Sequence, residues 1–164
     1  MIIGITGGKG GTGKSTVATA VSVELAKDHK VLLADMDVEC PNDHLILDIE
    51  RKELRTVAQR IPEIDPELCI KCGECSKVCK TNALVKVKEN VPIFIPEQCN
   101  GCGACKIVCP VDAIIWGKKK IGKLYSGSNH GVDFISGELK INEPVSEILV
   151  DEIKELIEEK KENY

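Results

Sequence analysis

Residues Ile2 to Thr16 read I-I-G-I-T-G-G-K-G-G-T-G-K-S-T. An apolar run that stops at a glycine cluster predicts a buried first strand over Ile2–Thr6. The cluster fits two phosphate motifs at once. Gly8-x-Gly10-x-x-Gly13 matches the dinucleotide fingerprint, with Asp35 at about the expected distance for its acid. Gly8-x4-Gly13-Lys14-Ser15 matches the Walker A pattern, and this reading accounts for more atoms. Lys14 supplies charge to β/γ-phosphates and the Ser15 hydroxyl ligates Mg2+, a pair for which a dinucleotide fold has no use. The candidate nucleotide-binding residues are therefore Gly8, Lys9, Gly10, Gly11, Thr12, Gly13, Lys14, Ser15 and Thr16.

Working outward, a helix is expected from Ser15 to about Asp28–His29, with Val17, Ala20, Val21, Leu25 and Ala26 as buried positions. Its N-terminal amides point at the phosphate. Val31–Ala34 reads as a second buried strand, closed by Asp35-Met36-Asp37. The stretch Lys9–Thr16 resembles the deviant Walker A motif of the MinD/ParA/Mrp-type P-loop ATPases, whose mark is the additional lysine, here Lys9. The resemblance implies that Lys9 reaches nucleotide held by a partner subunit, so that a homodimer is expected. It also implies that V-L-L-A-D-M-D carries the switch I acid, with Asp37 orienting the attacking water or a Mg2+-bound water. Lys9 and Asp37 are thus the candidate catalytic residues, and Asp35 is the structural acid behind them. A solvated strand end is the alternative for the two aspartates.

The second informative stretch is Cys69–Pro110, which holds eight of the nine cysteines as two copies of C-x2-C-x2-C-x3-C. Residues 66–85 overlay 96–115 at a constant offset of thirty, pairing Pro66 with Pro96, Gly73 with Gly103, Val78 with Val108 and Ala83 with Ala113. Three cysteines at this spacing can hold three irons of one cubane, while the fourth faces the other cluster. One [4Fe–4S] cluster is accordingly assigned to Cys69, Cys72, Cys75 and Cys109, and a second to Cys99, Cys102, Cys105 and Cys79. Structural zinc is the alternative, but it calls for two separated pairs around one ion. The pattern resembles a bacterial two-cluster ferredoxin, with Lys80 standing where the first copy would carry the proline that Pro110 supplies in the second. Cys40 has no partner at ligand spacing and reads as a small buried residue.

The whole chain resembles the ferredoxin-containing members of the MinD superfamily. The expected fold is α/β: a partial P-loop NTPase, a parallel sheet with flanking helices, with an inserted α+β ferredoxin-like domain. The expected segments are a βαβ unit over 1–60, the insert over 61–117, and a hairpin and helix over 118–164. In the last, 121–125 and 132–135 flank the loop 126–131, and Ser146 caps a helix with Leu149, Ile153, Leu156 and Ile157 on its apolar face. Lys118–Lys120 reads as a solvated edge or a docking patch for an acidic partner. The family's D-x-P-P-G-like switch II is missing, so the chain is expected to be a truncated product or the N-terminal half of a split ATPase.

Composition fits a cytoplasmic protein. The formal net charge of −4 gives no reason to expect nucleic acid, and aromatics at 3% offer no stacking platform. No basic leader or long apolar run suggests export or a membrane span. Two [4Fe–4S] clusters, ATP or ADP, and Mg2+ are the implied cofactors. The expected function couples nucleotide state to electron transfer or cluster handling. A plain electron carrier with a vestigial nucleotide site, and a cluster assembly factor, are the alternatives. Partners would be a redox protein or an iron–sulfur client, with a second copy or a complementing chain supplying the rest of the ATPase.

Overall fold

The computed structural model describes residues 1–8 and 10–164, so Lys9 lies outside the described residues. The chain divides into two compact units. One comprises residues 1–57, 122–140 and 146–164, and the other 58–121 and 141–145.

The first unit is built on a mixed sheet. Strand β1 (Val31–Asp35) runs parallel to β6 (Val132–Leu139), in the register Val31↔Val132 to Asp35↔Ser136. Strand β5 (Ile114–Asn129) returns antiparallel to β6, and β2 (Lys52–Ile64) follows, giving the order β1-β6-β5-β2. The β1–β6 contact has the parallel sense expected throughout, and the β5–β6 contact does not. The β5–β6 pairing continues to Asn129↔Val132, so most of the expected loop 126–131 is strand. His130 and Gly131 alone make the turn, at φ 51° and 77°. Two central residues at positive φ form the turn whose twist matches the flanking strands.

Alternation along β6 sends its side chains to two layers. Val132 and Phe134 join Leu33, Leu47 and Ile49 in a core onto which Ala18 and Val23 of helix α1 (Lys14–Leu25), and Ala26 just after it, pack. On the opposite face, the Cα of Gly137 leaves room for Ile153 of α5 (Glu147–Lys160). Leu149, Ile153 and Leu156 of α5 are buried, as the helical spacing predicts. Ser146 takes the N-cap position through its carbonyl, which accepts the Leu149 and Val150 amides at 3.1 and 3.2 Å; its hydroxyl makes no cap bond.

Two expectations fail in this unit. Residues Ile2–Thr6 form no strand, and Ile2 and Ile3 are 83% and 52% exposed. A strand requires a neighbour for its amides and carbonyls, and none of the strands here pairs with this segment. Helix α1 also turns the other way. It buries Thr19 and Ser22 and packs through Ala18 and Val23, leaving Val17, Ala20 and Val21 exposed; of the expected positions, Ala26 does pack on the core. Its buried hydroxyls are satisfied within the helix, Thr19 Oγ1 on the Ser15 carbonyl at 2.7 Å and Ser22 Oγ on that of Ala18 at 2.8 Å. Such residues can be buried without penalty.

In the second unit each cysteine run wraps into a short helix, α3 (Glu74–Val78) and α4 (Ala104–Ile107), preserving the offset of thirty. Strands β3 (Leu84–Val85) and β4 (Ile93–Phe94) pair antiparallel. The core is Leu84, Cys105 and Ile114, with Ile64, Val78, Phe94 and several cysteines against it. Lys119 is not part of a solvated edge. Strand alternation turns it inward, where its side chain is 16% exposed and pairs with Glu143 at 2.8 Å.

Candidate nucleotide loop and cysteine cavities

Helix α1 begins directly at Lys14, so the amides of its first turn are left without helical acceptors. The space over Gly7 is filled by Thr12 and Lys14, whose Oγ1 and Cδ would stand 3.0 and 3.4 Å from a Cβ there. Gly8 and Gly10 face open space. Ser15 Oγ donates to Asn42 Oδ1 at 2.9 Å, tying the loop to the segment after β1. That role for Asn42 had no signal in the sequence beyond its place after Pro41.

Asp35 and Asp37 separate cleanly. Asp35 is buried at the end of β1, where its carboxylate accepts the amides of Asp37, Asn42 and Asp43 at 3.0, 3.1 and 3.2 Å. It shapes the turn. Asp37 is exposed, and its Oδ1 accepts the Cys40 amide at 3.2 Å. This bend carries the Cys40 side chain outward; Cys40 is exposed and not the buried small residue expected. Asp43, the first residue of the short helix α2 (Asp43–Ile46), completes the group, and sequence reading missed it. It is 5% exposed, and its Oδ1 is buried with no hydrogen-bond partner. Burial, then the charges of Asp35 and Asp37, push its carboxyl above the usual range, while the nearby Ser15 hydroxyl pulls it back. A Pro-Asn-Asp turn was the only available signal.

None of the nine cysteines is in a disulfide. Two cavities in the second unit gather eight of them. The first is lined by Cys69, Cys72, Cys75 and Cys109, with Ile64, Ile70, Val111 and Ile114 among its walls. The second is lined by Cys79, Cys99, Cys102 and Cys105, with Pro62, Leu84 and Phe94. In each, three cysteines come from one run and the fourth from the other. Among the described residues, no three His, Cys, Asp or Glu side chains are drawn close enough to hold a metal ion.

Tight turns lead into both short helices, and burial and hydrogen bonding act on the thiols in opposite senses. Gly73 and Gly103 stand before α3 and α4 at φ 82° and 79°, a conformation that side chains rarely adopt. Burial pushes the Cys75 and Cys99 thiols up, and Cys105 up to about 11. At Cys79 burial is outweighed by bonds from the Thr81 hydroxyl and the Leu84, Ala83 and Thr81 amides, and its thiol is lowered. Cys99 Sγ accepts the Gly101 amide at 3.4 Å, and Cys109 Sγ that of Ala113 at 3.3 Å. Gln59 steadies the second run by donating Nε2 to the Cys99 carbonyl at 2.8 Å.

Residues 3–163 match the family model for the CobQ/CobB/MinD/ParA nucleotide binding domain. The chain belongs to this family. An uncharacterised protein of Methanocaldococcus jannaschii, MJ0578, is 39% identical over 155 residues, which cover 94% of this chain and 54% of that protein. The chain thus spans about half the length of this curated relative. A second M. jannaschii protein, MJ0579, also uncharacterised, is 40% identical over 88 residues, 53% of this chain and 32% of that protein. A cytosolic Fe-S cluster assembly factor Nubp2 homolog from Anopheles gambiae is 44% identical over 54 residues, 32% of this chain and 21% of its own length. The glycine loop into α1 and the acids after β1 both lie within the residues matched to this nucleotide-binding domain. No helix among the described residues is long and apolar enough to cross a membrane.

Proposed function

We propose that this chain is an iron–sulfur member of the MinD/ParA nucleotide-binding family, coupling nucleotide state to electron transfer through two [4Fe–4S] clusters. The observation that carries the reading is the sorting of eight cysteines into two cavities, each taking three from one run and one from the other. A cubane spreads its irons over four thiolates, so it does not ask the sulfurs to converge on one point as a single ion does. Apolar side chains line both cavities, and the Thr81 hydroxyl and the amides directed at Cys79 favour its thiolate form. The clusters would supply one-electron chemistry. In the proposed ferredoxin-like unit, Gly73 and Gly103 let the backbone turn closely around each group.

In the nucleotide domain, the amides of Gly8, Gly10–Gly13 and α1 would hold ATP phosphates, with Lys14 as counter-charge. Ser15 would ligate Mg2+ once its hydroxyl leaves Asn42, and Asp37, being exposed, is free to sense the γ-phosphate. Lys9 would act on nucleotide across a dimer. The exposed Ile2, Ile3, Val17 and Val21 favour a second chain, or more of the same one, covering this side. A cluster assembly role is the second reading, favoured by the name of the Anopheles relative.

Anaerobic reconstitution with iron and sulfide, followed by titration with Mg-ATP, tests the proposal. Clusters whose reduction changes with nucleotide are the expected result. Clusters without nucleotide affinity would leave a plain carrier, and ATP-stimulated loss of a cluster to an apo-protein would favour the assembly role.

A further inference from the structure

The repeat that pairs the cysteine runs also pairs two residues of opposite chemistry. At the offset of thirty that matches Gly73 to Gly103, Lys86 matches Trp116. Both lie over those glycines. A Cβ on Gly73 would run into the Lys86 side chain, with Nζ at 3.2 Å, and a Cβ on Gly103 would meet Trp116 Cη2 at 2.9 Å. Lys86 Nζ donates to the carbonyls of Lys71 and Cys72 at 3.1 and 3.3 Å, inside the loop that carries Cys69, Cys72 and Cys75. Trp116 offers the equivalent loop of the second run an uncharged ring.

Lys86 has no carboxylate within ion-pair distance among the described residues, whereas Lys77 pairs with Glu74 at 2.6 Å. In the second run Lys119 is neutralised by Glu143 at 2.8 Å. Lys106 reaches the Ile114 carbonyl at 2.6 Å, and Ile114 lines the first cavity.

We propose that Lys86 and Trp116 make the two cysteine sites redox-inequivalent, Lys86 holding the Cys69/Cys72/Cys75/Cys109 site at the higher reduction potential. The inference rests on the two-cluster reading above. Reduction of either site takes one electron from a one-electron donor, breaks no bond and makes that site more negative by one charge. An ammonium beside it favours that state. Electrons entering the protein therefore settle on the first site, and the second, under the indole, is the relay with the stronger reducing power.

The test is a potentiometric titration of the anaerobically reconstituted full chain, read by electron paramagnetic resonance, with iron counted in every variant. Lys86→Met keeps the aliphatic stem over Gly73 and removes only the charge. It should lower one of two one-electron waves, cutting that site's reduced-to-oxidised ratio at fixed potential about tenfold, a shift of about 59 mV. Lys86→Arg should restore the wave, and Trp116→Lys should raise the other. Two clusters whose waves ignore Lys86→Met, or move together, would overturn this inference alone. A wild-type chain that takes up no iron would overturn the two-cluster reading with it.

Discussion

Replacing Asp43 by Asn should stabilise the ligand-free first unit. Asp43 is 5% exposed, one of its oxygens is buried without a partner, and Asp35 and Asp37 lie close enough to disfavour its charge. Leaving a buried acceptor unsatisfied costs about 1–3 kcal/mol. Asn keeps the shape and removes the charge, so a gain of about 1 kcal/mol at pH 7 is expected. For a chain of this size that corresponds to a rise of about 2–4 °C in Tm. The sign with pH follows from the direction of the shift. A carboxyl raised above its unfolded value favours the fold while protonated, and that support is lost as pH climbs through the folded value. The advantage of Asn over Asp is therefore full above the folded pKa and vanishes below the ordinary unfolded value of 3.8. Amide hydrogen exchange in α1 and β1 reads this unit without the other. An Asp43→Asn protein that is no more stable at pH 7, or whose advantage persists unchanged below the carboxylate range, would refute the reasoning.

Three more outcomes follow from the same structure. Cys109→Ser and Cys79→Ser should each lose one cluster and keep the other, removing about four irons per chain by metal analysis, because each lines the cavity of the opposite run. Ile153→Ala should cost about 2–5 kcal/mol in denaturant unfolding, since Ile153 is fully buried. The Tyr164 hydroxyl donates to Asp133 at 2.6 Å, and burial, then Asp133, push its pKa up to about 12. Its contribution should be complete below pH 10 and lost as pH rises through about 12, seen as a phenolate absorbance absent from Tyr164→Phe.

What the sequence disclosed was whatever depends on residue type and short-range spacing. The glycine loop running into α1, the strand Val31–Asp35 and the apolar stripe of α5 are local patterns, and each is present. The constant offset of thirty carries through into α3, α4 and their preceding glycines. Features set by distant neighbours were not legible. Ile2–Thr6 has strand composition, but only a partner could make it a strand. Helix α1 is apolar enough on two sides that periodicity could not choose between Val17–Val21 and Ala18–Val23. Asp43 and Asn42 matter because folding carries them to Ser15, twenty-seven residues before Asn42. Lys119 looked solvated within K-K-K until strand alternation and Glu143 decided otherwise.

The central claim is that the two cavities hold iron–sulfur cubanes. Joint quantitation of iron and acid-labile sulfide in the anaerobically reconstituted chain tests it most directly. About eight of each per chain is the predicted result; a chain that instead retains about two zinc ions and no sulfide would contradict it.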